Sequence, residues 1–203
     1  MTTKRKRIYK LLKTICIQVF PVMIGVYLGL VANNWNEENK EQALQNRLLE
    51  SMNKELIANE KNVEKLLIYH KGLLDSIRTY KKKYSLKEQL ELSPDQFMSN
   101  VWRGTKVGSL KNAAYQTAMV TGALAGLDID LAIQLSEVDL VQKDYSAIGE
   151  KYLNSLIQMD TGANLQTTLQ FISPFCFDII SFEEALLRLY KKTNSAIEQN
   201  LSK

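Results

Sequence analysis

By residue type, few positions in this 203-residue chain could do chemistry: one histidine, two cysteines and one closely spaced aspartate pair. His70 would have to be the base of any Ser-His-Asp or Cys-His arrangement. It lies, however, on an apolar stripe with Leu66, Leu67, Leu73 and Leu74. That placement predicts a core or boundary histidine bonded to one neighbour. Cys176 stands between Phe175 and Phe177 and reads as a small buried apolar residue rather than a reactive thiol. Zinc needs several Cys or His ligands, and beyond residue 33 the chain offers one of each, at no ligand spacing. Asp128-Ile129-Asp130 has the Asp-x-Asp form used in metal-dependent sugar transfer, but no nucleotide-binding α/β pattern surrounds it, so the pair reads as a helix cap. No Gly-rich phosphate loop follows a strand. The expectation is a protein that is not an enzyme, with no catalytic residue, no metal and no cofactor.

Elements must therefore explain the chain. The run Thr14 to Ala32 is uncharged, with Lys4, Arg5, Lys6, Arg7, Lys10 and Lys13 before it and Asn33-Asn34-Trp35-Asn36-Glu37-Glu38 after it. A hydrocarbon core of about 30 Å crossed at about 1.5 Å per residue needs roughly 20 residues, so the run predicts one membrane-spanning helix. The basic residues on its leading side predict a cytoplasmic N-terminus. Without those six the chain has 20 Lys and Arg against 22 Asp and Glu, a net charge of −2, so the overall charge of +4 reflects topology and not nucleic-acid binding. A cleaved signal peptide has the same layout but a shorter apolar stretch, and Leu30-Val31-Ala32 makes a poor junction. The predicted organisation is a basic cytoplasmic tail over 1–13, a transmembrane helix over 14–33 and an extracytoplasmic helical domain over 34–203, held in the inner membrane with its C-terminal part in the periplasm.

Within the span, Gln18 and Pro21 allow a modest bend. Tyr9 on one side and Trp35 on the other suit the headgroup layer, and Asn33, Asn34 and Asn36 can hydrogen-bond headgroups beside the indole. These five residues are the expected interface anchors. Gly25 and Gly29, four apart, form a small-residue face on which two helices could pair as a homodimer.

The remainder reads as all-α. Nine Gly and three Pro are too few for the turns of a sheet protein. Apolar residues recur from Leu44 through Leu48, Met52, Leu56, Val63, His70, Leu73, Leu74 and Ile77 to Tyr80, predicting a long amphipathic helix. Ala58 to Asn62 interrupts the stripe and predicts a slight break or a change of packing partner. Uninterrupted from Asn34 to Tyr84, such a helix would run on the order of 75 Å, so part of it is expected to serve as a stalk. Lys81-Lys82-Lys83 suits its C-terminus. Ser93-Pro94-Asp95-Gln96 announces a second helix carrying Phe97, Val101 and Trp102 inward. Ser109 is expected to cap a third helix, rich in small residues, through Val120. Asp128 or Asp130 should cap a fourth, with Leu131, Leu135, Val138, Leu140 or Val141, Tyr145, Ile148, Tyr152 and Leu156 on its stripe. Asp160-Thr161-Gly162 is expected as a turn and Asn164 to Ile172 as a short helix stopped by Ser173-Pro174. A final helix after Ser181 would have Glu183 and Glu184 at its N-terminus.

The segment Gly25-Val26-Tyr27-Leu28-Gly29-Leu30-Val31-Ala32-Asn33-Asn34-Trp35-Asn36-Glu37, followed by a long charged helix, resembles a family of small single-pass membrane proteins of Bacteroidota classed as a domain of unknown function. Ala114-Tyr115-Gln116-Thr117 with Thr121-Gly122 resembles that family's Ala-Tyr-x-Thr segment. The resemblance covers the span and the first half of the following domain and implies a membrane-anchored helical protein of a Gram-negative envelope. It implies no activity.

Function therefore reads first as an anchored interaction or scaffold module, a coiled-coil-like helical domain contacting an unknown envelope protein beside the lipid bilayer. The alternative is an extracytoplasmic sensor of a small ligand that acts through a separate partner. Ala114, Tyr115, Thr117 and Gly122 are the expected interaction surface. A filled core with an exposed apolar patch would favour the first reading, and a formed pocket between helices the second.

Overall fold

The computed structural model describes the backbone of residues 3–158 and 163–202, and within those ranges the side chains from Gln18 onward. Among the described residues there are six α-helices, one 3₁₀ turn and no strand: α1 Thr3–Lys83, α2 Leu86–Glu91, α3 Asp95–Asn100, α4 Ala113–Thr121, the 3₁₀ turn Ala123–Gly126, α5 Ile129–Ile157 and α6 Leu165–Leu201. The protein is all-α. The chain divides into two units, Met1–Gln45 and Asn46–Lys203.

The first unit is the leading part of α1, with Pro21 inside the helix. From Val19 to Val31 its large apolar side chains point outward all round, each between 43% and 66% exposed. An added methyl at Gly25 or Gly29 would meet nothing within 4 Å. Trp35 is exposed, and Asn33 Nδ2 donates to Glu37 Oε1 at 3.0 Å. Among the described residues no helix is long and apolar enough to cross a membrane. The expected span starts at Thr14, and the side chains of 14–17, like that of Tyr9, lie outside the described residues.

The second unit is built on three long helical segments. Tyr152 packs on Phe171 and Phe175, and Gln142 bonds Tyr190, so α5 and α6 run antiparallel. His70 meets Glu183 while, past the C-terminus of α1, the Leu92 carbonyl that ends α2 accepts the Leu165 N–H, so residues 46–83 of α1 also run against α6. The core follows the 3–4 spacing of each helix. Leu49, Met52, Leu56, Val63, Leu73 and Ile77 come from α1, Leu131, Leu135, Val138 and Tyr145 from α5, and Ile172, Cys176, Ile179, Leu186, Tyr190 and Ile197 from α6. Of the two alternatives on the α5 stripe, Val141 turns inward and Leu140 outward.

The long helix does not break between Ala58 and Asn62. Asn59 is buried there, donating to the Lys111 carbonyl at 2.7 Å and accepting the Lys111 N–H at 2.8 Å. A polar residue on an apolar stripe is thus satisfied by a chain crossing it, the change of packing partner that the interruption suggested.

Three local expectations are corrected. The chain from Gly104 to Asn112 is not helical, so Ser109 caps nothing and α4 starts at Ala113. Its N-terminus is capped from outside: Glu55 Oε2 on α1 accepts the Ala114 N–H at 3.1 Å, filling a donor that the helix leaves open. Ser173-Pro174 does not stop α6, which continues through Pro174 to Leu201. The hydrogen bond that proline removes belongs to the Gln170 carbonyl on the solvent side, while Phe175, Cys176 and Ile179 hold the other side in the core. Glu183 is consequently mid-helix and wholly buried instead of helix-initial. An unexpected short helix, α2, forms behind a capping box in which Ser85 N–H donates to Glu88 Oε2 and Ser85 Oγ accepts the Glu88 N–H.

The second expected helix is shorter than its signals suggested: α3 starts at Asp95 with Pro94 in the cap position and ends at Asn100, leaving Val101 and Trp102 half-buried just beyond it. Lys81, Lys82 and Lys83 close α1, Ser93 Oγ accepts the Asp95 N–H at α3, and Asp128 Oδ1 accepts the Asp130 N–H at α5. Gly122 ends α4 at φ +73°, a left-handed position that glycine adopts without a Cβ clash. The expected turn Asp160-Thr161-Gly162 lies outside the described residues.

Candidate functional site

His70, Tyr145 and Glu183 come from α1, α5 and α6, and all three are fully enclosed. His70 Nε2 lies 2.9 Å from the Thr105 carbonyl, which can only accept, so Nε2 bears hydrogen and donates. Nδ1 lies 2.8 Å from Glu183 Oε1. A lone pair facing a carboxylate at that distance is repulsive, so one further proton sits between them. The pair is imidazolium with carboxylate or imidazole with carboxylic acid, neutral as a unit either way. Tyr145 Oη donates to the same Oε1 at 3.2 Å and accepts the Gly108 N–H at 3.3 Å. The circuit thus grips the crossing segment at Thr105 and at Gly108. Beside it, Tyr69 Oη donates to the Gly104 carbonyl and accepts the Arg103 N–H.

This geometry fastens the crossing segment to the bundle. His70 Nε2 points at a backbone carbonyl where a nucleophile would have to stand, and among the described residues Glu183 Oε2 has no hydrogen-bond partner. His70 is a core histidine bonded to neighbours, as its stripe suggested. Glu183 and Thr105 were missed by sequence reasoning. The signal for Glu183 was present: Ile172, Cys176, Ile179, Glu183, Leu186 and Tyr190 repeat at alternating fours and threes, which places a carboxylate on a core stripe.

Burial, and then the nearby Glu183 carboxyl, pushes the Cys176 thiol up to about 12. Burial likewise raises the Tyr145 and Tyr190 phenols. A thiol that stays protonated behind packed side chains is inert. In a Cys16→Ser protein, Cys176 is expected to resist a thiol reagent at pH 8 until the bundle unfolds; rapid stoichiometric labelling of folded protein would contradict its enclosure. The raised pKa also fixes a sign. The unfolded thiol loses its proton near pH 9 and the folded one near 12, so this contribution to stability is intact below 9 and is lost as pH climbs through that window.

A second polar knot joins α4 to α5. Asp139 accepts from Asn112 Nδ2 at 3.3 Å, Gln116 Nε2 at 3.0 Å and Lys143 Nζ at 2.6 Å. Of the expected surface residues, Ala114 is buried against the core, a small residue admitting α4 close to its neighbours. Tyr115 is half-buried, its hydroxyl bonded to Ser136 Oγ at 3.0 Å. Thr117 and Gly122 are exposed. The cavity under α4, between Met52, Leu56, Leu135 and Val138, is about 20 Å³, room for one water. A cleft of about 320 Å³ opens beside α3, walled by Tyr80, Tyr84 and Phe97 with Asp95 at its rim.

Among the described residues no three His, Cys, Asp or Glu side chains gather as a metal ion would require. Comparison of the chain with protein-family models, with characterised proteins and with solved structures finds no match.

Proposed function

We propose that the chain is a membrane-anchored interaction module, its leading helix held in a lipid bilayer and its helical bundle contacting an envelope protein. The observation that carries the reading is the run of outward apolar side chains from Val19 to Val31. A helix apolar on every side needs an apolar surround, and a bilayer supplies one. The sequence extends that run back through Ile15, Cys16 and Ile17 to a basic flank, which favours a cytoplasmic N-terminus and a periplasmic bundle. The resemblance to the Bacteroidota family agrees with this. The well-filled space beneath α4 supports contact with a partner over a ligand enclosed among the long helices.

Carbonate washing of membranes is expected to leave the full-length protein in the pellet, and a reporter active only outside the cytosol is expected to work when fused to the C-terminus. Release by carbonate, or a reporter active only in the cytosol, would overturn the anchor. A second reading, a sensor of a small ligand, is favoured by the aromatic cleft beside α3, whose volume lies at the lower end for small-molecule sites.

A further inference from the structure

The outer face of α5 carries an apolar strip that the bundle leaves bare. Ile129, Ile133 and Leu140 are 74%, 59% and 59% exposed, while Leu131, Leu135 and Val138 of the same helix are buried. Steps of four and seven set the three exposed residues on one stripe. Ser136 stands between them and bonds Tyr115 of α4, and Met119 lies one turn beyond Tyr115 on α4, so the exposed Met119 and the 88% exposed Val120 extend the strip sideways. Uncovered apolar surface of this kind marks a place of association.

Charge selects the occupant. Asp130, Glu137 and Asp144 recur every seven residues along one edge of the strip, and all three are exposed. The nearest cation on the helix, Lys143, has its ammonium on Asp139. A second copy of α5 laid antiparallel against the first would bring another acidic column to the seam, and an anionic lipid surface would meet the same repulsion. An apolar strip with an acidic edge instead complements a helix with an apolar face and Lys or Arg beside it. From Ile129 to Leu140 the strip is about 16 Å long at 1.5 Å per residue, three turns of such a helix.

We propose that the α5 strip docks a basic amphipathic helix of another envelope protein. The inference rests on the reading of the bundle as an interaction module and names the chemistry of its partner.

The test uses the full-length protein in its native membrane, with photoreactive benzoylphenylalanine incorporated at Ile133 and, as a control, at the exposed Ile68 on α1. The expected result is one protein adduct from position 133 and none from 68, with the crosslinked peptide mapping to a segment of apolar residues at 3–4 spacing with Lys or Arg along one edge. Glu137→Lys with Asp144→Lys should reduce that adduct at least about tenfold, the scale set by removing two facing charge pairs, while circular dichroism and melting temperature stay unchanged. An adduct to a second copy, to lipid or to a segment without that pattern overturns the proposal. So does no adduct at 133, an equal adduct at 68, or one that survives the charge reversal. Loss of the adduct pattern with carbonate retention intact rejects the docking helix and leaves the anchor standing.

Discussion

Replacing Glu183 by alanine is expected to lower the stability of the bundle by about 2–5 kcal/mol, the loss when one member of a buried hydrogen-bonded pair is removed and its partners are left unsatisfied. Glu183 Oε1 is the shared terminus of two buried side chains, His70 and Tyr145, both with no exposed surface. Without it, His70 Nδ1 faces a void while Nε2 stays committed to Thr105, and the Tyr145 hydroxyl loses its acceptor. Each stranded polar group costs about 1–3 kcal/mol on its own. Denaturant unfolding of the detergent-solubilised protein, followed by circular dichroism at neutral pH, measures the change. Glu183→Gln should be milder, because the amide placed where Oε1 stands can still donate to Nδ1 or accept from the phenol, although not both. Removing both partners, as His70→Phe with Glu183→Leu, should cost less than the sum of the single changes, since no charge is then left alone. A Glu183→Ala protein within about 1 kcal/mol of the parent would show that the pair carries no such weight.

The next largest effect is expected at Gly149→Ala. A Cβ built on Gly149 would come within 2.5 and 2.6 Å of the two Val107 methyls and 2.7 Å of the Val107 Cβ. Val107 is β-branched and stiff at χ1, and its segment is held on both sides by the Thr105 and Gly108 bonds, so it yields only by leaving its seat. Overpacking of this kind costs about 1–3 kcal/mol, set against up to about 1 kcal/mol returned by removing a glycine from a helix interior. Thermal or denaturant melts should therefore show a net loss, and adding Val107→Ala should recover most of it. A Gly149→Ala protein more stable than the parent would mean that the crossing segment does not press on α5.

These two sites also show where the sequence is readable. Helical stripes, the lysine-rich end of α1 and the Asp128 cap follow from residue type and spacing, because they depend on neighbours within one or two turns. The non-helical stretch Gly104 to Asn112 does not. Its course is fixed by Asn59, Tyr69, His70 and Tyr145, which lie more than 30 residues away in the chain, and a local pattern such as Ser109 before small residues carries no information about them. Ser173-Pro174 misleads for a related reason. Proline's penalty is local and visible, whereas Phe175, Cys176 and Ile179, which keep α6 continuous around it, act through packing. Ser85-Leu86-Lys87-Glu88 was legible as a capping box and marks a helix only six residues long. Glu183 was legible in principle, as an acid on an otherwise apolar repeat. Its partner could not be chosen from sequence, because nothing in the spacing links it to position 70.

His70 and Glu183 are separated by 113 residues. A ribosome adding about 5–20 residues per second exposes the first half of that contact for roughly 6–23 seconds before the second half has been made. During that interval the apolar side of α1 has no α6 to lie against. Folding of this bundle is consequently late, completed only when α6 arrives. A nascent chain whose emerged part stops before residue 183 should be captured by holdase chaperones far more strongly than one in which α6 has emerged through Leu201.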